Sequence, residues 1–185
     1  MTDASIQERD TMNLLPDIKK ILYCTRIGPN SAYIYRHAMA LAEKFDAAII
    51  VLHVMETLTP DQEARINGYI GPDSIHDVVE HEENDALLRI KQHLNSFCSR
   101  LGEDNSCSLR VEKIIVAESS SPAEEIVKQS VATGADVIVI GAHAQSSILD
   151  ALLGSTTQKV IRKSSIPVYV IQVPAGEQEL SVRDI

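Results

Sequence analysis

The sequence predicts an α/β fold in which a five-stranded, mostly parallel sheet carries helices on both faces. Apolar runs of strand length alternate with amphipathic segments, and this βαβαβαβαβ order is typical of parallel sheets with right-handed crossovers. The segment AAIIVLHVM, at residues 47–55, is almost continuously apolar, as expected for a strand covered on both faces. Turn-forming residues such as those at 28–30 (GPN) separate the segments, which supports their assignment as distinct elements.

The first part of the chain is predicted to form two strands and one helix. The first strand covers residues 18–25, and Asn30 or Ser31 can cap the helix that follows, in which apolar residues recur at near-3.6 spacing. The second strand covers 47–55. Residues 56–73, which contain two prolines and two glycines, are expected to form an excursion from the sheet.

A long amphipathic helix is then predicted over residues 74–101, and Gly102 can end it. The third strand covers 109–117. The segment SPAE at 121–124 is a strong helix start, because it combines a capping serine, a proline at the first position and a glutamate three residues on.

The last predicted elements are a helix that stops near Gly134, a strand that ends at Gly141, a helix over 155–164 and a strand over 167–171. The predicted domain organisation is a flexible leader at 1–17, one domain over 18–173 and a polar tail at 174–185.

The composition is that of an ordinary globular protein, with 44% hydrophobic and 23% charged residues in a chain of 185. The formal net charge of −9 argues against nucleic-acid binding, which needs a basic face. No stretch approaches the roughly 20 apolar residues of a membrane span, so no membrane contact is predicted. The N-terminus lacks a signal-peptide pattern. Three cysteines without CxxC spacing (Cys24, Cys98 and Cys107) favour reduced thiols in a cytoplasm.

The connection between the fourth strand and the last helix is unusual. Twelve residues separate Gly141 from Gly154, and Ser155, Thr156 and Thr157 then open the helix. Parallel α/β sheets bind ligands beyond the carboxyl ends of their strands, where strand order reverses, and a helix amino end with glycines and hydroxyls favours an anion. The segment is therefore either a plain strand-to-helix connection or a phosphate cradle. GxxxxGK[ST] does not occur, and no GxGxxG follows the first strand.

The same segment resembles the signature of the universal stress protein family: a glycine, two residues, a second glycine, nine residues, then a glycine followed by serine or threonine. Gly141, Gly154 and Ser155 match the first glycine, the third glycine and the hydroxyl, and Ala144 stands at the second glycine. The segments IKKILYCT, AAIIVLHVM, GADVIVIGAHA and LLGSTTQKVIRKSSIPVYVI also follow in that family's order. The resemblance covers about residues 18–173.

The resemblance implies a Rossmann-like fold of the adenine-nucleotide α-hydrolase-like group, in a cytoplasmic protein that forms homodimers or larger assemblies. It also implies ATP or AMP as ligand, with little or no hydrolysis and no metal beyond a nucleotide-bound magnesium ion. The residues predicted to bind the nucleotide are Thr25, Arg26, Val54, Gly141, Ala144, Gly154, Ser155, Thr156 and Thr157.

Two positions depart from the family pattern. Ala144 adds a methyl group where the triphosphate runs close to the backbone. Arg26 stands after the first strand, where nucleotide-binding members carry an aspartate toward the base and ribose, and an arginine cannot accept a hydrogen bond from a ribose hydroxyl. The loop itself contains Asp150 and no basic residue. We therefore expect weak nucleotide binding, with Arg26 remaining at the base and ribose end.

Other polar residues are predicted to be structural or solvent-exposed. His143 is interpreted as an exposed loop histidine, His53 as a hydrogen-bonded core histidine and Cys24 as a buried, inert thiol. Four residues of the long helix suggest a metal site but form two pairs that do not converge: His76 with Glu80, and His81 with Asp85. No Ser-His-Asp or paired-carboxylate arrangement is identified, so no catalytic residue is predicted.

Three functions of different classes remain open. They are a nucleotide-sensing stress protein, a nucleotide-independent dimeric stress protein that acts through its surface, and a nucleotide-processing enzyme. The lack of an SGGxDS-type loop after the first strand and of a general base counts against the enzyme. Residues 168–173 are apolar and uncharged although the fifth strand is expected at the sheet edge. By the resemblance, this strand pairs antiparallel with its copy in a homodimer.

Overall fold

The structure is a computed structural model that describes residues 16–28, 30–57, 61, 64, 65, 68, 74–100, 110–142 and 153–174. The main elements within these residues follow the predicted order. They are β1 (Lys20–Thr25), α1 (Ser31–Phe45), β2 (Ala48–Glu56), α2 (Ser74–Arg100), β3 (Val111–Ser119), α3 (Pro122–Thr133), β4 (Val137–Gly141), α4 (Ser155–Lys163) and β5 (Val168–Ile171).

All five strands lie in one sheet and run parallel. Their order is β3-β2-β1-β4-β5, and every neighbouring pair has a parallel register. The chain moves from β1 outward to β2 and β3, and then returns to place β4 on the other side of β1. The strand order therefore reverses between β1 and β4, and the predicted α/β fold is confirmed.

Alternating side chains of the central strands build two apolar layers. In β1, Ile21 and Tyr23 belong to the layer that contains buried residues of α1 and α2. Leu22 and Cys24 belong to the opposite layer, which contains buried residues of α3 and α4. Because helices cover both faces, the central strands need apolar residues at every position, and this explains their continuous hydrophobic pattern.

Hydrogen bonds of Asp136 join the start of β4 to β1 directly after α3. The carboxylate of Asp136 accepts hydrogen bonds from the N–H groups of Lys19 and Lys20 at 2.8 and 2.9 Å. The N–H of Asp136 donates to the Lys20 carbonyl at 2.8 Å. Just before it, α3 ends at Gly134, whose φ of 64° is in the left-handed region that glycine adopts without strain.

Several element boundaries shift by one or two residues from the sequence prediction, and the start of α3 is capped differently. β3 begins at Val111 and extends to Ser119, two residues beyond the predicted 109–117, because its last residues pair with the end of β2. The side chain of Ser121 does not cap α3. The backbone carbonyl of Ser121 instead accepts hydrogen bonds from the N–H groups of Glu124 and Glu125 at 3.0 and 3.1 Å. The carboxylate of Glu124, which was expected to help cap the helix, pairs with Lys163 of α4.

The cysteines also differ from expectation. Cys98, on α2, is disulfide-bonded, so the prediction of three reduced thiols is wrong. Cys24 is free and buried in β1, as predicted. Sequence spacing alone does not show which cysteines pair.

Candidate functional site

The carboxyl ends of β1 and β4 lie side by side where the strand order reverses, and the space between the connections that follow them is referred to as the crevice. α1 follows β1 onto one face of the sheet, where Ile34 is buried, and α4 follows β4 onto the other face, where Val160 is buried. The two connections leave adjacent strands toward opposite faces, which is the arrangement that creates a binding crevice in open α/β sheets. The predicted residues Thr25, Arg26, Gly141 and Gly154 lie along its rim.

Two hydrogen bonds tie the start of α4 to the end of β4. The N–H of Gly154 donates to the Ala142 carbonyl at 2.8 Å, and the hydroxyl of Thr157 donates to the Gly141 carbonyl at 2.8 Å. Thr157 is only 4% exposed. Its hydroxyl proton is therefore engaged in positioning α4 at the crevice.

The first turn of α4 supplies donors for an anion. The N–H groups of Ser155, Thr156 and Thr157 have no intrahelical partner, because they lie in the first turn of the helix. Ser155 is exposed and Thr156 is half-buried. These groups and the positive end of the helix dipole favour a phosphate or carboxylate. Three loop residues, His143, Ala144 and Asp150, lie outside the described residues, so their roles stay predictions.

A tight turn at the end of β1 holds Arg26 at the other side of the crevice. The hydroxyl oxygen of Thr25 accepts the N–H of Ile27 at 3.2 Å. Ile27 has a φ of 51°, which for a β-branched residue costs about 1–3 kcal/mol. Arg26 lies between them and is exposed. The crevice thus contains a strained backbone position next to its cationic side chain.

His53 and Val54 lie near the end of β2, next to β1. The Nδ1 atom of His53 is 2.9 Å from the Thr25 carbonyl oxygen. Burial, and to a smaller extent the charge of Arg26, lower the pKa of His53, whereas the bond to Thr25 opposes this shift. His53 is hydrogen-bonded as predicted, but it is half-buried rather than in the core. The side chain of Val54 packs in the layer of α3 and α4.

The thiol and phenol of β1 are poor nucleophiles. Burial raises the pKa of the Cys24 thiol and of the Tyr23 hydroxyl above their ordinary values. Tyr23 also donates a hydrogen bond to the Ser31 carbonyl at 2.9 Å, which fixes the start of α1. Cys24 is buried, as predicted.

The polar residues of α2 show no convergent site in the part of the chain that the structure describes. The Asp85 carboxylate is 2.8 Å from Nε of Arg89, one turn along the same helix. Within the described residues, no group of three or more His, Cys, Asp or Glu side chains is arranged to hold a metal ion. In the same residues, no helix combines the length and the apolar character that a bilayer crossing requires.

Two features of the crevice were not recognised in the sequence. Nothing in the sequence indicated the left-handed conformation of Ile27, because β-branched residues rarely adopt it. The position of His53 did have a signal in the sequence. It is the single polar residue of the run AAIIVLHVM, near the carboxyl end of a predicted parallel strand.

Comparisons with known proteins agree with this architecture. The universal stress protein family model matches residues 17–172. Universal stress protein MJ0577 of Methanocaldococcus jannaschii is 28% identical over 155 residues, which are 83% of this chain and 94% of that protein. Universal stress protein MJ0531 of the same organism is 26% identical over 165 residues, which are 86% of this chain and 85% of that protein.

Solved structures show the same fold. The structure of MJ0577 superposes with a TM-score of 0.60 at 28% identity, over 86% of this chain and 99% of that chain. Universal stress protein UspA of Lactobacillus plantarum superposes with a TM-score of 0.63 at 17% identity, over 85% of this chain and 99% of that chain. The chain belongs to the universal stress protein family.

Proposed function

We propose that this stress protein acts in the cytoplasm and binds an adenine nucleotide, ATP or AMP, weakly in the crevice between β1 and β4. The observation that carries the proposal is the amino end of α4, where three N–H groups without intrahelical partners and the exposed Ser155 lie at the crevice. The phosphates would contact these donors. The nucleoside would then lie toward Arg26 and the ends of β1 and β2.

We further propose that hydrolysis is absent or very slow. None of the predicted binding residues that the structure describes is a carboxylate that could orient an attacking water. A magnesium ion would enter only with the nucleotide and would neutralise phosphate charge. The crevice would then act as a sensor whose occupancy changes the binding of protein partners.

Titration calorimetry of the native protein with ATP and AMP tests the proposal, together with native mass spectrometry for a co-purified nucleotide. We expect Gly154→Val to abolish binding, because a branched side chain blocks the backbone from the phosphates. Ser155→Ala removes a single hydroxyl, and we expect it to weaken the binding free energy by about 1 kcal/mol, the typical contribution of one hydrogen bond. The far-UV spectrum of both variants should match that of the native protein.

Two results would contradict the proposal. If the native protein binds no adenine nucleotide at millimolar ligand, the nucleotide-independent function takes its place. If ATP turns over faster than roughly once per second, an ordinary enzymatic rate, the protein is a nucleotide-processing enzyme.

One observation supports a homodimer, the assembly on which the nucleotide-independent alternative depends. β3 and β5 are the two edges of the sheet. β3 carries three exposed charged residues (Glu112, Lys113 and Glu118) that discourage pairing with another strand, whereas β5 has none. We propose that residues 168–173 pair with their copy in a homodimer, and this assembly is compatible with either function.

A further inference from the structure

His53 lies at the same end of the crevice as Arg26. In the register between β1 and β2, His53 is the direct neighbour of Thr25, the last residue of β1. Arg26 is the next residue, and its charge is close enough to affect the ionisation of His53. β2 and β4 flank β1 on opposite sides. His53 is therefore separated from β4 by β1 and lies toward the nucleoside end of the proposed site.

The hydrogen bond to Thr25 determines which nitrogen of His53 carries the proton. A backbone carbonyl can only accept a hydrogen bond, so Nδ1, at 2.9 Å from the Thr25 oxygen, is the protonated nitrogen. In the neutral ring, Nε2 then has a lone pair and is an acceptor. Burial and the charge of Arg26 lower the pKa of His53, which favours the neutral ring.

The Nε2 atom is available for a ligand. His53 is half-buried, and Nε2 has no hydrogen-bond partner among the described residues. The side-chain atoms of the described residues that are both fully buried and without a partner do not include Nε2, so Nε2 is accessible. An accessible acceptor therefore lies beside Arg26, whose guanidinium is only a donor.

We propose that Nε2 of His53 accepts a hydrogen bond from a donor group of the bound nucleoside, either a ribose hydroxyl or the amino group of the base. His53 thereby supplies the acceptor that Arg26 cannot, and it contributes to selecting a nucleoside over other anions. The inference rests on the proposed nucleotide binding at the same crevice.

The alternative role for His53 is purely structural, since the Nδ1 bond also joins β2 to β1. A matched pair of variants separates the two roles. In His53→Asn, the amide nitrogen can replace Nδ1 as donor to Thr25, but the Nε2 acceptor is lost. In His53→Gln, the longer amide can present an acceptor near the Nε2 position, but the Nδ1 donor is lost. Urea unfolding of both variants shows whether each one is folded.

We expect His53→Asn to weaken ATP binding about fivefold, as for the loss of one hydrogen bond. His53→Gln should stay within about twofold of the native protein. The opposite order, with native affinity in His53→Asn and weak binding in His53→Gln, would assign the histidine to a structural role and overturn the inference.

Nucleotide analogues identify the donor. We would titrate 2′-deoxy-ATP, 3′-deoxy-ATP and purine riboside triphosphate, which lacks the amino group, into the native protein and into His53→Asn. The analogue that lacks the contacted donor should bind the native protein weakly and should show no further loss in the variant. Equal losses in both proteins for every analogue would refute the contact. If the native protein does not bind ATP, the proposed function itself fails, and this outcome is distinct from native binding that His53→Asn leaves unchanged.

Discussion

Arg26 is the residue at which the crevice departs most from the family pattern. It is exposed, and the turn between Thr25 and the left-handed Ile27 limits how far its backbone can move. Its charge contributes to lowering the pKa of His53 on the neighbouring β2, so the guanidinium can lie toward β2. This position favours a guanidinium that remains near the nucleoside rather than one that pairs with the phosphates.

We therefore predict that Arg26→Asp tightens ATP binding about tenfold, on the order of 1.4 kcal/mol, because an acceptor replaces a donor opposite the ribose hydroxyls. Parallel titrations of both proteins at fixed salt measure the change. Lys91→Asp, at an exposed position of α2, makes the same change in net charge away from the crevice and is the control. Looser binding in Arg26→Asp than in this control would mean that Arg26 is a phosphate ligand.

Glu125 is a buried carboxylate whose ionisation contributes to stability. It accepts hydrogen bonds from Gln129 at 2.8 Å and from Lys128 at 3.0 Å, and these contacts hold its pKa below the ordinary 4.5. Since the unfolded chain takes up the proton at higher pH than the folded one, the stabilisation is complete above pH 4.5. It is lost as the pH falls through the lower pKa of the folded state.

We predict that Glu125→Gln flattens the pH dependence of the free energy of unfolding below pH 4.5. The slope between pH 6 and 8 should not change. Urea unfolding across this range measures both slopes. Glu124→Gln serves as comparison, because the pair of Glu124 with Lys163 is exposed and contributes less. An acid slope in Glu125→Gln as steep as that of the native protein would show that Glu125 does not cause it.

At the scale of elements, α3 ends at Gly134, which is required there for its backbone conformation and not for want of space for a side chain. A Cβ atom at Gly134 would meet nothing within 4 Å, but its φ of 64° is unfavourable for other residues. Gly28, before α1, also has open space around the Cβ position and no left-handed φ. Both glycines have room for a Cβ atom, and they differ in backbone conformation.

We predict that Gly134→Ala lowers the free energy of unfolding by about 1–2 kcal/mol, the cost of a left-handed residue with a Cβ atom. Gly28→Ala should be nearly neutral. Chemical denaturation of both variants at one pH makes the comparison. Equal losses would indicate that the conformation at Gly134 is not the cause.

At the scale of the whole molecule, the two sheet edges determine how the protein can associate. Val170 of β5 and Ile115 of β3 both pack, half-buried, against the same apolar layer. The two edge strands differ in charge, because β3 has exposed charged residues and β5 has none. A lysine at either position perturbs the same layer, but only the one in β5 would disturb pairing with a second copy.

We predict a homodimer in solution that Val170→Lys converts toward monomer, whereas Ile115→Lys remains a dimer. Light scattering at micromolar concentration measures the mass, and circular dichroism verifies that both variants are folded. A native protein that is monomeric under these conditions would exclude the β5 dimer.

Several properties of this protein followed from the sequence by itself, because they depend on local patterns. Hydrophobic periodicity and turn residues predicted, in order, the nine main elements of the described residues, and their alternation predicted the parallel sheet. Glycine and hydroxyl spacing predicted the connection from Gly141 to Ser155 as the candidate site. These signals are short-range, so a single sequence contains them.

Only the tertiary structure decided how distant segments meet. It placed β4 beside β1, which locates the crevice. It also set His53 against Thr25, 28 residues apart, and turned the hydroxyl of Thr157 toward the Gly141 carbonyl. The left-handed turn at Ile27 depends on the structure as well. Each of these arrangements results from packing and strand register between residues far apart in the chain or from a locally strained backbone, and neither leaves a pattern in the sequence.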